Sequence, residues 1–213
     1  MMCILSGKTT LLNLLGGREQ LGLGGRLTGK LAVNGAPPPK GWKRDLGFVM
    51  QKDMFYDMLT VREELEFAVS LRLPPSLSVA ARRARVAAVV RDLGLAPVLG
   101  SAVGSAVTRG LSGGELKRLS IAIELLADPQ SLLLDEPLTG LDSTKAADVL
   151  ALLRNRATAH GRAVALSIHQ PSSKLYSLFD RLLILAPGIG YPLKPFSFFP
   201  LKPASIFVGW GLV

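Results

Sequence analysis

The sequence predicts an α/β fold, a buried parallel sheet with helices packed against it. Three stretches carry that expectation. Residues 132–134 are an apolar run between turn formers, closed by Asp135, Glu136 and Pro137, and read as a short buried strand. Residues 111–115, Leu-Ser-Gly-Gly-Glu, open a stretch reaching residue 127 whose apolar residues recur at helical spacing. Residues 4–15 pass from Ile4-Leu5 through Ser6-Gly7-Lys8-Thr9-Thr10 into a helix-like run ending at Leu15. Carboxylates at the carboxyl end of a buried strand lie where α/β sheets bind ligands. A helix that starts after glycines aims its positive end at an anion.

In chain order, residues 4–18 read as the second half of a phosphate-binding loop and its helix. The motif G-x-x-x-x-G-K-[ST] cradles a β-phosphate in a ring of backbone N–H groups. Gly7, Lys8 and Thr9 supply its end, with Lys8 reaching the β/γ-phosphates and the Thr9 hydroxyl binding Mg²⁺. The motif's first glycine falls at position 2, where Met2 stands. Residues 24–41 are rich in Gly and Pro, with 31–35 read as a short strand and turn before the loop 36–41. Residues 46–51 read as a strand ending at Gln51. Residues 60–73 and 78–93 read as helices. Thr60 can cap the first, with Glu63 completing a capping box, and Pro74-Pro75 ends it. Ser78 can cap the second, on which Arg82, Arg83, Arg85 and Arg91 form a solvated cationic face. Residues 146–160 read as an amphipathic helix, 163–168 as a strand reaching His169, and 182–185 as a last strand.

Residues 187–213 hold five prolines, four phenylalanines and no acid, with Lys194 and Lys202 as their charges. Prolines at that density predict a loosely ordered tail without a long helix or central strand.

Burying Asp135 beside Glu136 is costly unless a cation or polarised water offsets the charge. A Mg²⁺ nucleotide does so when one acid holds the metal and the other activates water. An ordinary turn after a strand is the other reading of Asp-Glu-Pro. After Ser112, Gly113 and Gly114 let backbone N–H groups approach a phosphate closely.

The chain has 213 residues, enough for one sizeable core. Its hydrophobic fraction of 48% suits a buried parallel sheet. No run of 18–20 apolar residues predicts a membrane span, and the first residues do not predict a secretory signal. A single cysteine, Cys3, excludes an internal disulfide and fits a reducing compartment. The net charge of +9 invites a nucleic-acid reading. Nucleotide phosphates and an anionic membrane face account for it equally well, and no nucleic-acid partner is expected.

Together, GKTTLLNLLGGR (7–18), TGKLAVNG (28–35), GFVMQKD (47–53), LTVREELEFAVSLRLP (59–74), RGLSGGELKRLSIAIELLADPQSLLLDEPLTGLDS (109–143) and SIHQPSS (167–173) resemble the nucleotide-binding domain of an ABC transporter. They are most similar to the G (White) subfamily of half-transporters, over roughly residues 4–186. The resemblance implies a P-loop NTPase (RecA-like) core lacking its first strands, with a helical subdomain at about 54–118. It makes 1–186 the ATP-binding domain and 187–213 a divergent tail. It implies ATP and Mg²⁺ as cofactors, contacted by Gly7, Lys8, Thr9 and Thr10. Thr9, Gln51 and Asp135 would hold the metal, Asp135 through water. Glu136 would be the general base, Gln51 would touch metal and attacking water, and His169 would reach the γ-phosphate. Ser112, Gly113 and Gly114 would serve the nucleotide of a second, head-to-tail domain, and Asp142 would couple the two sites. A transmembrane domain not present in this chain would be the other partner, which sets the chain at the cytoplasmic face of a membrane.

Met2 in place of the loop's first glycine predicts weakened ATP binding. A catalytically impaired remnant is therefore one alternative. A soluble ABC ATPase is the other, although such proteins carry paired domains or long coiled-coil insertions.

Overall fold

The computed structural model describes residues 7–18, 31–33, 36–52, 54–104, 110–169, 175, 177–186, 189–191 and 206–211. The strand-forming runs become β1 (Leu46–Val49), β2 (Ser131–Leu134), β3 (Ala163–Ser167), β4 (Arg181–Ala186), β5 (Ile189–Tyr191) and β6 (Ile206–Gly211). The helical runs become α1 (Lys8–Leu15), α2 (Val61–Arg72), α3 (Val79–Asp92), α4 (Gly113–Leu126) and α5 (Ser143–His160). These strands form one sheet in the order β1-β2-β3-β6-β4-β5. From β1 to β4 every neighbouring pair is parallel, and β5 returns antiparallel to β4.

Alternation along the strands sorts the core onto two faces. Phe48 and Leu133 point to the side where Leu12 of α1 packs, with Leu15, Leu46 and Ala165 around them. Val49, Leu132, Leu134, Val164 and Leu166 point the other way, into the larger core shared with α2, α3, α4 and α5. Helices on both faces explain why β2 and the middle of β3 read as apolar runs rather than as a strict polar alternation.

Caps set where the helices begin. Thr60 starts α2 with the capping box its spacing predicts, and Ser78 caps α3. Ser112 and Glu115 make a second capping box at the start of α4. Asp142 accepts the amides of Thr144 and Lys145, so α5 begins at Ser143 rather than at 146. Its far end closes at Gly161 in the left-handed conformation.

Three expectations change. Residues 31–33 form no strand, only a bridge between Val33 and Ala36. A subdomain boundary at 118 falls inside α4, which runs unbroken to Leu126 and packs on α2, α3 and β1 alike. The tail contributes β5 and β6, and β6 is a central strand between β3 and β4. Pro187, Pro192, Pro195, Pro200 and Pro203 all lie outside Ile189–Tyr191 and Ile206–Gly211, so no ladder N–H is lost to them. Among the described residues no helix is long and apolar enough to cross a membrane.

Candidate functional site

Because β1, β2 and β3 are parallel, their carboxyl ends share one edge of the sheet, where Gln51, Asp135, Glu136 and His169 follow them. The Asp135 amide donates to the Val49 carbonyl (2.9 Å), which carries the β1–β2 ladder one residue past β2. Asp135 is 2% exposed, so its carboxylate must be satisfied from within. Ser167 does this: its hydroxyl donates to Asp135 Oδ1 (2.5 Å) and accepts the Glu136 amide (2.8 Å). One hydroxyl at the end of β3 therefore holds both acids.

Glu136 has a φ of 49°, left-handed backbone that a non-glycine residue rarely adopts. Strain of this kind persists where the surroundings over-determine it, and here the Ser167 bond is one of those constraints. The turn delivers the Glu136 carboxylate to Gln51, whose Nε2 donates to Glu136 Oε2 (3.2 Å). The Thr139 hydroxyl donates to the same oxygen (3.3 Å). Glu136, Thr139, Ser167 and His169 line a cleft of about 240 Å³. Gln51, Asp135, Glu136 and His169 are thus brought together as expected from the sequence.

At its C-terminal end α1 is pinned near the start of β1. Lys43 Nζ donates to the Gly17 carbonyl (2.5 Å), and the Arg18 guanidinium lies 4.4 Å from the centre of the Phe48 ring. Along its length Leu12 packs against Phe48 and Leu133 on one face of the sheet. Gly7, with φ 77°, opens α1 without a side-chain cap, at the end of the helix whose dipole favours an anion. Lys8 is buried, whereas Thr9 and Thr10 are exposed. Residues 1–6, with the position of Met2, lie outside the described residues.

Ser112, Gly113, Gly114 and Asp142 do not line this cleft. Ser112 and Gly113 sit exposed at the start of α4. Glu115 Oε2 accepts the Ser112 amide (2.8 Å) and hydroxyl (2.7 Å), and these bonds hold the Glu115 carboxyl below its ordinary range. A Cβ at Gly114 would lie 2.7 Å from Leu141 Cδ2, so glycine lets α4 pack against the loop before Asp142. Asp142 is exposed and held ionised first by the Lys145 amide.

Sequence reasoning missed Ser167, Thr139, Lys117 and Glu124. The last two left a signal: seven residues apart in a stretch with Leu119, Ile121, Ala122 and Ile123, they fall on one face of α4, and both are buried.

A glycine-led helix, and polar residues that include a buried acid following parallel strands at one edge of the sheet, are the pattern of an α/β ligand-binding domain. The chain belongs to the ABC transporter family, whose model matches residues 6–139. It is 45% identical to ABC transporter G family member 21 of Arabidopsis thaliana over 95% of its own length and 30% of that protein. It is also 45% identical to the broad substrate specificity ATP-binding cassette transporter ABCG2 of Rattus norvegicus, over 85% of this chain and 27% of that one. The chain thus spans about 30% of the length of the curated relatives it matches. Among solved structures it superposes on the ATP-binding cassette MJ0796 in a dimeric post-hydrolysis state bound to ADP and Pi. The TM-score is 0.67 at 23% identity, over 90% of this chain and 82% of that one. The fold is that of an ABC-type ATPase cassette, and the sequence is similar to nucleotide-binding domains of G-family transporters.

Proposed function

We propose that this domain binds Mg²⁺-ATP at the carboxyl edge of the sheet and hydrolyses it to drive a membrane transporter. The observation that carries the reading is Glu136 at the carboxyl edge of the sheet, its main-chain amide held by the Ser167 hydroxyl and its carboxylate met by Gln51 Nε2. Lys8 and the first-turn amides of α1 neutralise the β- and γ-phosphates as charge moves onto them. Glu136 accepts the proton of the attacking water, and Gln51 orients that water for in-line attack. His169, at the far wall of the cleft, donates to the γ-phosphate.

The residues fit a magnesium ion. Asp135, Thr9 and Gln51 offer oxygen donors, and among the described residues no group of three His, Cys, Asp or Glu forms a cage for another metal. When bound, Mg²⁺ would offset charge on the β- and γ-phosphates. Buried Asp135 would hold it, with its orientation set by the Ser167 hydroxyl.

Two partners belong to this reading. A second cassette would dock head to tail, presenting Ser112 and Gly114 to the nucleotide held here. Exposure of Ser112 and its separation from the Glu136 cleft support that arrangement. A membrane domain would sit on the apolar patch after Gln51, where Met54, Tyr56, Met58, Phe67 and Leu71 are exposed. Tyr56 and Phe67 meet there edge to face, with ring centres 5.6 Å apart. This would place the domain at the cytoplasmic face of a membrane.

Glu136→Gln tests the base directly. It keeps the side chain's shape and an acceptor for Gln51 but removes the proton acceptor, so ATP binding should persist while turnover falls by about 10²–10⁴. Unchanged turnover would remove Glu136 from the mechanism.

A further inference from the structure

Among the described residues β1 is the outermost strand of the sheet, and the backbone groups on its outer side need partners. α4 supplies them with two buried charges. Glu124 Oε2 accepts the Phe48 amide (3.1 Å), and Lys117 Nζ donates to the carbonyls of Met50 and Gln51 (3.2 Å each). Their spacing of seven residues is two helical turns, which matches the run of chain from Phe48 to Gln51. Glu124 is locked in turn by α2: Arg72 grips both its oxygens, at 2.7 and 2.5 Å. A Cβ at Gly47 would lie 2.7 Å from Leu132 Cδ1 and 3.0 Å from Pro129 Cγ, so glycine here keeps β1 close to β2 and the end of α4.

We propose that Lys117 and Glu124 are positioning residues that clamp the main chain of 48–51 and so set where Gln51 meets Glu136. The clamp sits on the helix that Ser112 begins. A shift of that helix, as when its N-terminus takes up a partner's phosphate, is therefore transmitted to Gln51 through the two bonds of Lys117, about a turn and a half from Ser112. The catalytic consequence rests on the ATP-hydrolysing reading above, whereas the clamp itself does not.

Lys117→Met fills the same space and removes the ammonium. In the full chain without nucleotide, amide exchange across residues 50–54 should quicken by about tenfold or more, because a charge-assisted bond to two carbonyls is lost. Exchange within α4 should stay as it was. With ATP, kcat should fall roughly tenfold to a hundredfold through misplacement of Gln51, while KM stays within about twofold. Lys117→Arg should restore both. Glu124→Gln gives an independent reading at the other end, as faster exchange of the Phe48 amide. Unchanged exchange in Lys117→Met would overturn the clamp whether or not the chain turns over ATP. Faster exchange with kcat intact would reduce the pair to guardians of a sheet edge. A wild-type chain that does not hydrolyse ATP would overturn the transmission to catalysis along with the ATPase reading, leaving the exchange result to judge the clamp.

Discussion

Ser167 holds the site together from behind, through one hydroxyl that donates to Asp135 and accepts from Glu136. Ser167→Ala would leave a buried carboxylate oxygen and a main-chain amide short of a partner, an effect of about 1–3 kcal/mol per group. Chemical denaturation should show a loss in that range, and ATP turnover should fall because the Glu136 turn is no longer fixed. Glu64 behaves oppositely. It is buried on α2, has an unpartnered Oε2, and is pushed above its ordinary 4.5 by burial. A raised acid holds its proton longer folded than unfolded, so stability is greatest below about 4.5 and declines as pH rises through the folded value. Glu64→Gln removes the ionisable group while keeping the side chain's shape. It should melt higher than wild type near pH 7.5, with the gap closing toward about pH 4. At this scale the placement of Gln51, Asp135, Glu136 and His169 just after the strands was legible, because each follows an apolar run in a recognisable motif. Ser167 was not, since a serine inside a strand has no local signal and its bonds depend on β3 lying beside β2.

Among the elements, α4 begins at Ser112 and carries the buried pair Lys117 and Glu124. Gly114→Val should fail at the contact with Leu141, where even a Cβ sits at 2.7 Å, and should lower the melting temperature by more than Gly113→Ala, which faces open space. Ser112→Arg, by contrast, concerns a partner: it should leave ATP binding by one copy intact and block ATP-dependent dimerisation, read by light scattering. Dimers at wild-type yield would remove the cross-site role of this helix start. Helices were legible to within a few residues because Thr60, Ser78 and Gly161 act locally. The start of α5 was placed three residues late, since Asp142 was weighed for a role across an interface and not as a cap.

At the scale of the whole molecule, the sheet depends on a strand drawn from the far end of the chain. β6 pairs with β3 from Val164 to Ser167 on one side and with β4 from Arg181 to Leu185 on the other. Removing residues 204–213 would expose both facing edges, so the shortened chain should lose cooperative unfolding and associate, as seen by circular dichroism and size-exclusion chromatography. That strand was not legible, because proline content describes a segment on average whereas pairing needs only a few uninterrupted residues. The α/β class and its parallel sheet were legible, because buried apolar runs closed by polar residues and separated by helical stretches allow few other arrangements.

The measurement that bears most directly on the phosphate site is calorimetric titration of the full chain with Mg²⁺-ATP, beside Lys8→Ala and Glu136→Gln. The account predicts saturable binding of one ATP per chain, preserved in Glu136→Gln. Binding should be weakened in Lys8→Ala by about 10- to 100-fold, the loss of a charge-assisted bond to phosphate. No binding at millimolar ATP, or binding indifferent to Lys8, would contradict it.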